Sequence, residues 1–190
     1  RRRRRPPAER VRPSLLRMLD AWPDSPAFIV GRRFDVLAAN PLAGALVPTA
    51  ARRGNLVRDL FLQAESRELY PEFDAVADAT VASLRASAGS DVDDPLLIEL
   101  VGELSVKSEH FRRLWARHDV RVKTNGHKRF NHPLVGELTT AYETFTVNGA
   151  DGQQLIVYHA EPGSASERAL RLLGTMLTNA APERSTAPQT

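Results

Sequence analysis

Residues 31–46 read GRRFDVLAANPLAGAL. Gly31-Arg32-Arg33 supplies a turn, after which Phe34, Val36 and Ala38 alternate with Asp35 and Leu37 at the period of two of a half-buried strand. Asn40 stands where an N-cap belongs, because its side-chain oxygen suits an orphan N–H of a first helical turn. Pro41 suits the first helical position, having no N–H to lose. Leu42, Ala45 and Leu46 share one face of the short helix that follows. Just upstream, Ala27–Val30 is a short apolar run fit for a buried strand, so strand, turn, strand and capped helix form one unit.

Toward the N-terminus, Leu15, Met18, Leu19 and Trp22 recur at helical spacing after Pro13 and predict a helix that the Pro23–Pro26 stretch ends. In the other direction the pattern is helical. Phe73, Val76, Ala77, Thr80 and Leu84 form one stripe, and Asp94-Pro95 opens a helix carrying Leu96, Leu97, Leu100, Val101 and Leu104. From Ser108, the residues Phe111, Leu114, Trp115 and His118 fall on one face, so three or four helices are predicted between two strand regions. Residues 120–124, 128–131, 134–147 and 154–159 then read as β segments, with Asn148-Gly149 as a hairpin turn, and predict three antiparallel strands. Ser164-x-x-Glu167 is a capping box, and the helix it opens is expected to bury Ala169, Leu172, Leu173, Met176 and Leu177. The order predicts an α+β fold: a five-stranded antiparallel sheet with helices packed over one face, flanking N- and C-terminal helices, and room for a pocket between the layers.

Composition sets the function classes. A chain of 190 residues with 42% hydrophobic and 26% charged residues fits one domain with an ordinary core. The net charge of +3 resides in Arg1–Arg5; the remainder of the chain is at −2, which argues against a nucleic-acid-binding face on the folded part. There is no cysteine and no run of eighteen apolar residues, so disulfides, thiolate chemistry and a spanning helix drop out and a cytoplasmic protein is expected, with no membrane partner. No G-x-S-x-G elbow, G-x-G-x-x-G loop or Walker A motif occurs. Glu137 and Glu143 lie about 20 Å apart along a strand, too far for a glycosidase pair. His127 and His132 point to opposite faces, and His110 and His118 are too far apart along a helix to share a metal. Asp91-x-Asp93 lacks the glycine and glutamate that a calcium loop requires. The expectation is a non-enzyme with no catalytic residue, no metal and no cofactor.

Five ordered blocks narrow the reading: RPSLLRMLDAWPDSPAFIVGRRFDVLAAN (12–40), RELYPEFD (67–74), LWARHDVR (114–121), KRFNHPLVGELTTAYET (128–144) and AEPGSASERALRLL (160–173). Together they resemble the ligand-binding domain of MmyB-like transcription regulators, over about Arg12 to Leu177. The resemblance implies a PAS-like domain that follows an N-terminal helix-turn-helix domain in bacterial regulators responding to small molecules. On that expectation residues 1–11 are an Arg/Pro-rich linker stub, 12–179 the PAS-like ligand-binding domain and 180–190 a disordered tail. DNA would be contacted only through the N-terminal domain, which this chain lacks. The expected ligand is a small lipophilic, fatty-acid-like molecule. Phe73 stands where the family usually has Trp, which keeps an aromatic wall and removes an indole N–H donor.

The inferred layering nominates the wall of that pocket. Phe61, Tyr70, Phe73 and Phe111 are expected from the helical side, and Tyr142 and Tyr158 from adjacent strands, where they either line the cavity or simply pack. His118 is placed either to donate to a ligand carboxylate or carbonyl or to sit in a core, bonded to backbone. Trp115 is placed as core or pocket wall. The alternative to a sensor is a ligand-free dimerisation or protein-interaction module, a homodimer using Leu15, Leu16 and Leu19 of the first helix.

Overall fold

The computed structural model describes residues 9–89, 93–117 and 125–180. Five strands form one antiparallel sheet: β1 (Ala27–Val30), β2 (Val36–Ala39), β3 (Asn125–His132), β4 (Gly136–Thr146) and β5 (Gln154–His159), in the order β2-β1-β5-β4-β3. The central pair β1 and β5 joins the N-terminal hairpin to the C-terminal meander, Phe28 lying opposite Ile156. Phe28, Val30, Phe130, Leu138, Ile156 and Tyr158 belong to the main core beneath the helices. Ala27, Ile29 and Leu155, one residue out of phase, face the other way and are covered by Leu15, Met18 and Leu19 of α1 (Pro13–Asp20). The expected five-stranded, PAS-like α+β fold is therefore present, with α1 covering the second face over β1 and β5, while β3 and β4 leave most of theirs exposed.

Asn40 locks the hairpin to the chain entering and leaving it. Its Oδ1 accepts from Ala43 N at 2.9 Å, capping α2 (Pro41–Leu46), and from Ala27 N at 3.1 Å. Its Nδ2 donates to Trp22 O at 2.9 Å and Ser25 O at 2.7 Å. Every hydrogen-bonding valence of a side chain only 2% exposed is thus used.

The turn departs from expectation at Phe34, which has φ 62° and precedes β2 instead of opening it. Left-handed backbone at a bulky residue persists only where its surroundings fix it. Here Phe34 N donates to Gly31 O, Phe34 O accepts from Leu56 N, and the Nδ2 of Asn55 donates to Arg33 O.

Between the hairpin and β3 the described residues hold six helices after α2, where three or four were expected. They are α3 (Pro48–Arg53), α4 (Leu56–Leu62), α5 (Glu65–Leu69), α6 (Phe73–Ala88), α7 (Pro95–Lys107) and α8 (Glu109–Ala116). The first three are each one to two turns long, too short for a periodic stripe to declare itself. The segment 120–124, expected to be a strand, lies outside the described residues. In α9 (Ala165–Ala180), Leu170 and Leu173 are buried, while Leu172 and Met176, expected inside, are 49% and 40% exposed. The buried stripe runs instead through Ala169, Leu170, Leu173 and Leu177, a cleaner i, i+1, i+4, i+8 face. Leu19, nominated for a partner surface, is buried against the sheet. Among the described residues, no helix is long and apolar enough to cross a membrane.

Candidate functional site

A partly open cavity of about 270 Å³ lies between the sheet and α6. It exists because α6 carries two unlike faces. Phe73, Ala77, Val81, Leu84 and Ala88 are buried in the helical layer, where α6 packs on α4 and α8. The residues turned to the cavity are Ala75, Ala79, Ser83, Ala86 and Ser87, with Val76 and Thr80 between the two faces. Side chains this short leave the space in front of the sheet unfilled. Ser87 also donates its hydroxyl to Arg32 O at 2.8 Å, holding the end of α6 to the hairpin turn, whose Phe34 ring closes that end of the cavity.

The opposite wall is the sheet: Phe28 of β1, Lys128 of β3, Tyr142 and Thr144 of β4, and Gln154, Ile156 and Tyr158 of β5. Tyr142 and Tyr158 are direct cross-strand partners, their ring centroids 6.0 Å apart. Gly126 lies opposite Tyr142 on β3, and a Cβ there would stand 3.1 Å from the tyrosine ring, so the absence of a side chain at 126 lets the ring lie across the strand. Tyr70 enters from the C-terminal end of α5 and packs on Phe130 at 5.4 Å.

The three tyrosines surround one cation. The Nζ of Lys128 lies 5.7, 5.4 and 5.5 Å from the ring centroids of Tyr70, Tyr142 and Tyr158, and donates to the hydroxyl of Tyr158 at 3.3 Å. Burial pushes the phenol of Tyr70 well above its ordinary value, with Tyr158 and Asp59 adding to the effect. Burial also raises Tyr142, against the opposing pull of Lys128. Both hydroxyls therefore remain protonated at neutral pH and available as donors.

Of the wall residues expected from sequence, Tyr70, Tyr142 and Tyr158 line the cavity. Phe61, Phe73, Phe111 and Trp115 meet elsewhere, in an aromatic cluster between α4, α6 and α8. Phe61 lies edge-on to Phe111 at 5.2 Å and to Phe73 at 6.5 Å, and Phe111 stacks on Trp115 at 5.7 Å. Arg85 covers the Trp115 ring at 3.9 Å and bonds to its carbonyl, and Arg67 covers Phe73 at 4.2 Å. This cluster backs α6 on its side away from the cavity. His118 lies outside the described residues.

Lys128 was not singled out in the sequence, where a lone lysine on a strand reads as solvated. The usable signal was parity: Gly126, Lys128 and Phe130 share one face of β3, and Phe130 is core. His132, on the same face, is structural: its Nε2 bonds to Ala45 O at 2.9 Å while its Nδ1 accepts from Leu134 N at 3.2 Å. Among the described residues, no group of three or more His, Cys, Asp or Glu is placed to hold a metal.

An open cavity beneath a five-stranded antiparallel sheet, walled by a helix of small side chains and entered by a few polar groups, defines a small-molecule-binding domain. Residues 11–173 match the MmyB-like transcription regulator ligand binding domain, and the chain belongs to that family. No curated protein matches the chain.

Proposed function

We propose that this domain is the sensory part of a bacterial helix-turn-helix regulator, in which a small lipophilic, fatty-acid-like molecule occupies the cavity and modulates DNA binding by a domain joined at its N-terminal side. Its role is regulatory, not catalytic, and it acts in the cytoplasm. The observation that carries this reading is the unfilled space between α6 and the sheet, bounded mainly by apolar and hydroxyl-bearing side chains.

A contiguous set of contacts supports the coupling. From the cavity wall, Ser87 bonds to Arg32 O. The neighbouring Arg33 binds Asp94 at the start of α7 at 2.7 Å, Asp35 at 3.3 Å and Glu9 at 3.7 Å. Gln153 adds a bond to Arg10 O at 3.1 Å. A ligand that favours one arrangement of α6 therefore has a physical route to the segment at Glu9–Arg10, and its effect on DNA binding is bounded by its differential affinity for the two arrangements.

The test is extraction of the purified chain and mass spectrometry of what co-purifies, run beside Ala79→Leu, which adds three carbons to the cavity wall. A hydrophobic molecule retained by the wild type and lost from a folded Ala79→Leu variant supports the reading. Equal retention by both sinks it.

A second reading, a ligand-free homodimer or protein-interaction module built on α1, draws on Leu16, which is 40% exposed beside the sheet-packed Leu19. Light scattering of Leu16→Asp decides it, since an unchanged mass removes α1 from any interface.

A further inference from the structure

Resting on the ligand-binding reading of the cavity, we infer that Lys128 anchors a single carboxylate-like anion, the head of a ligand with on the order of ten non-hydrogen atoms at interior packing density. The ammonium of Lys128 has three donors, and one is directed to the Tyr158 hydroxyl at 3.3 Å. Among the described residues no carboxylate stands within ion-pair distance of it; its other neighbours are the ring faces of Tyr70, Tyr142 and Tyr158. An aromatic cage of this kind ordinarily receives a ligand's cation. Here the chain's own cation fills it, which excludes a quaternary ammonium and inverts the preference. An oxyanion beside Lys128 takes a charge-assisted bond from Nζ and neutral bonds from the hydroxyls of Tyr70 and Tyr142, which burial keeps protonated.

The carboxylates on the cavity wall come from the other layer, although Asp59 is near enough to Tyr70 for its charge to act on that phenol. Asp59 belongs to α4 and Glu72 precedes α6, so both come from the helical layer, whereas Lys128 comes from the sheet. An amphiphilic acid is thereby oriented, its anion toward the sheet and its apolar body toward Ala75 and Ala79. The volume of about 270 Å³ sits at the lower edge of small-molecule sites. It matches a medium-chain acid and falls short of a long-chain one.

Isothermal titration of the purified chain and of Lys128→Met with octanoate, octanol and octylamine separates the head-group assignment from the cavity reading. Methionine keeps most of the lysine stem and removes the charge. Octanoate binding at least tenfold weaker on Lys128→Met, with octanol unaffected and Lys128→Arg restoring part of the loss, is the expected result. Octanoate binding both proteins equally, or octylamine preferred over octanoate by the wild type, overturns the head-group assignment while octanol binding upholds the cavity. Failure of the wild type to bind either octanoate or octanol overturns both. Hexadecanoate binding more tightly than octanoate overturns the size limit.

Discussion

Replacing Asn40 with alanine removes four hydrogen bonds from one buried point: the cap on α2 and the ties to Ala27 N, Trp22 O and Ser25 O. Loss of an N-cap costs about 1 kcal/mol. The Ala27 N–H is buried and has no compensating partner once Oδ1 is gone, a further penalty of about 1–3 kcal/mol. The carbonyls of Trp22 and Ser25 are part-buried, so water recovers some of their loss. The sum is about 3–5 kcal/mol against a total stability of about 5–15 kcal/mol for a domain of this kind. Urea unfolding followed by far-ultraviolet circular dichroism measures it, and at a slope of about 2 kcal/mol per M the midpoint falls by about 2 M. Asn40→Ser keeps a cap acceptor and loses the donors, so it recovers about 1 kcal/mol of the deficit. A loss below about 1 kcal/mol in Asn40→Ala, at unchanged slope, would refute the reading of Asn40 as the tie between the α1–β1 connection, β1 and α2.

The ion cluster at Arg33 gives opposite acid responses at its two ends. Burial alone would raise Asp94, yet hydrogen bonds from Arg33 and the Leu96 N–H, with the charge of Arg33, hold it below its ordinary 3.8. Its stabilisation is present above that value and is lost as pH falls through the folded one. Asp94→Asn therefore lowers the melting temperature at neutral pH, with the deficit shrinking in acid; a deficit independent of pH contradicts the ion-pair account. Glu9 is raised above 4.5, chiefly by burial, so its ionised form disfavours folding above that pH. Glu9→Gln accordingly raises the melting temperature at neutral pH, and the gain vanishes in acid. A loss at neutral pH would show that the pair with Arg33 outweighs burial. Gly152 has φ +75° and a Cβ there would stand 2.8 Å from the Cβ of Arg32, so Gly152→Ala costs upward of about 1–2 kcal/mol; an unshifted urea midpoint counts against that contact.

What the sequence disclosed follows the range of the forces involved. The unit at residues 27–46 is written in local terms, and its two strands and Asn-Pro cap are present, but the expected period of two breaks at a bulge in the β1–β2 pairing that puts Val36 and Ala38 on opposite faces. The donors of Asn40, reaching Trp22 and Ser25, were invisible because they depend on where the preceding chain runs. Helices α3 to α5 were blurred because each is held by tertiary bonds more than by its own pattern. Asn55 both caps α4 and ties it to Arg33 O and Asp35. Tyr142 and Tyr158 were legible as partners because adjacent strands fix cross-strand neighbours. Phe61, Phe73, Phe111 and Trp115 were not separable from a pocket wall, since helical spacing says which residues share a face and not which layer that face meets.

That last distinction bears on how the cavity itself is encoded. On amphipathic logic, the face of α6 holding Ala75, Ala79, Ser83 and Ala86 reads as the solvent side of a surface helix, with Phe73, Ala77, Val81 and Leu84 turned to the core. A true solvent face, however, usually carries long charged side chains, which keep their heads in water and cover the apolar surface beside them. This face carries short ones, and it faces Phe28, Ile156 and Tyr158 across a gap. A helix with bulky apolar residues on one side and small uncharged ones on the other is therefore better read as a helix between two layers, packed against one and standing off from the other. On that criterion the cavity is legible in residues 73–88 themselves, and Ala79→Leu is the substitution that narrows it without disturbing the packed side.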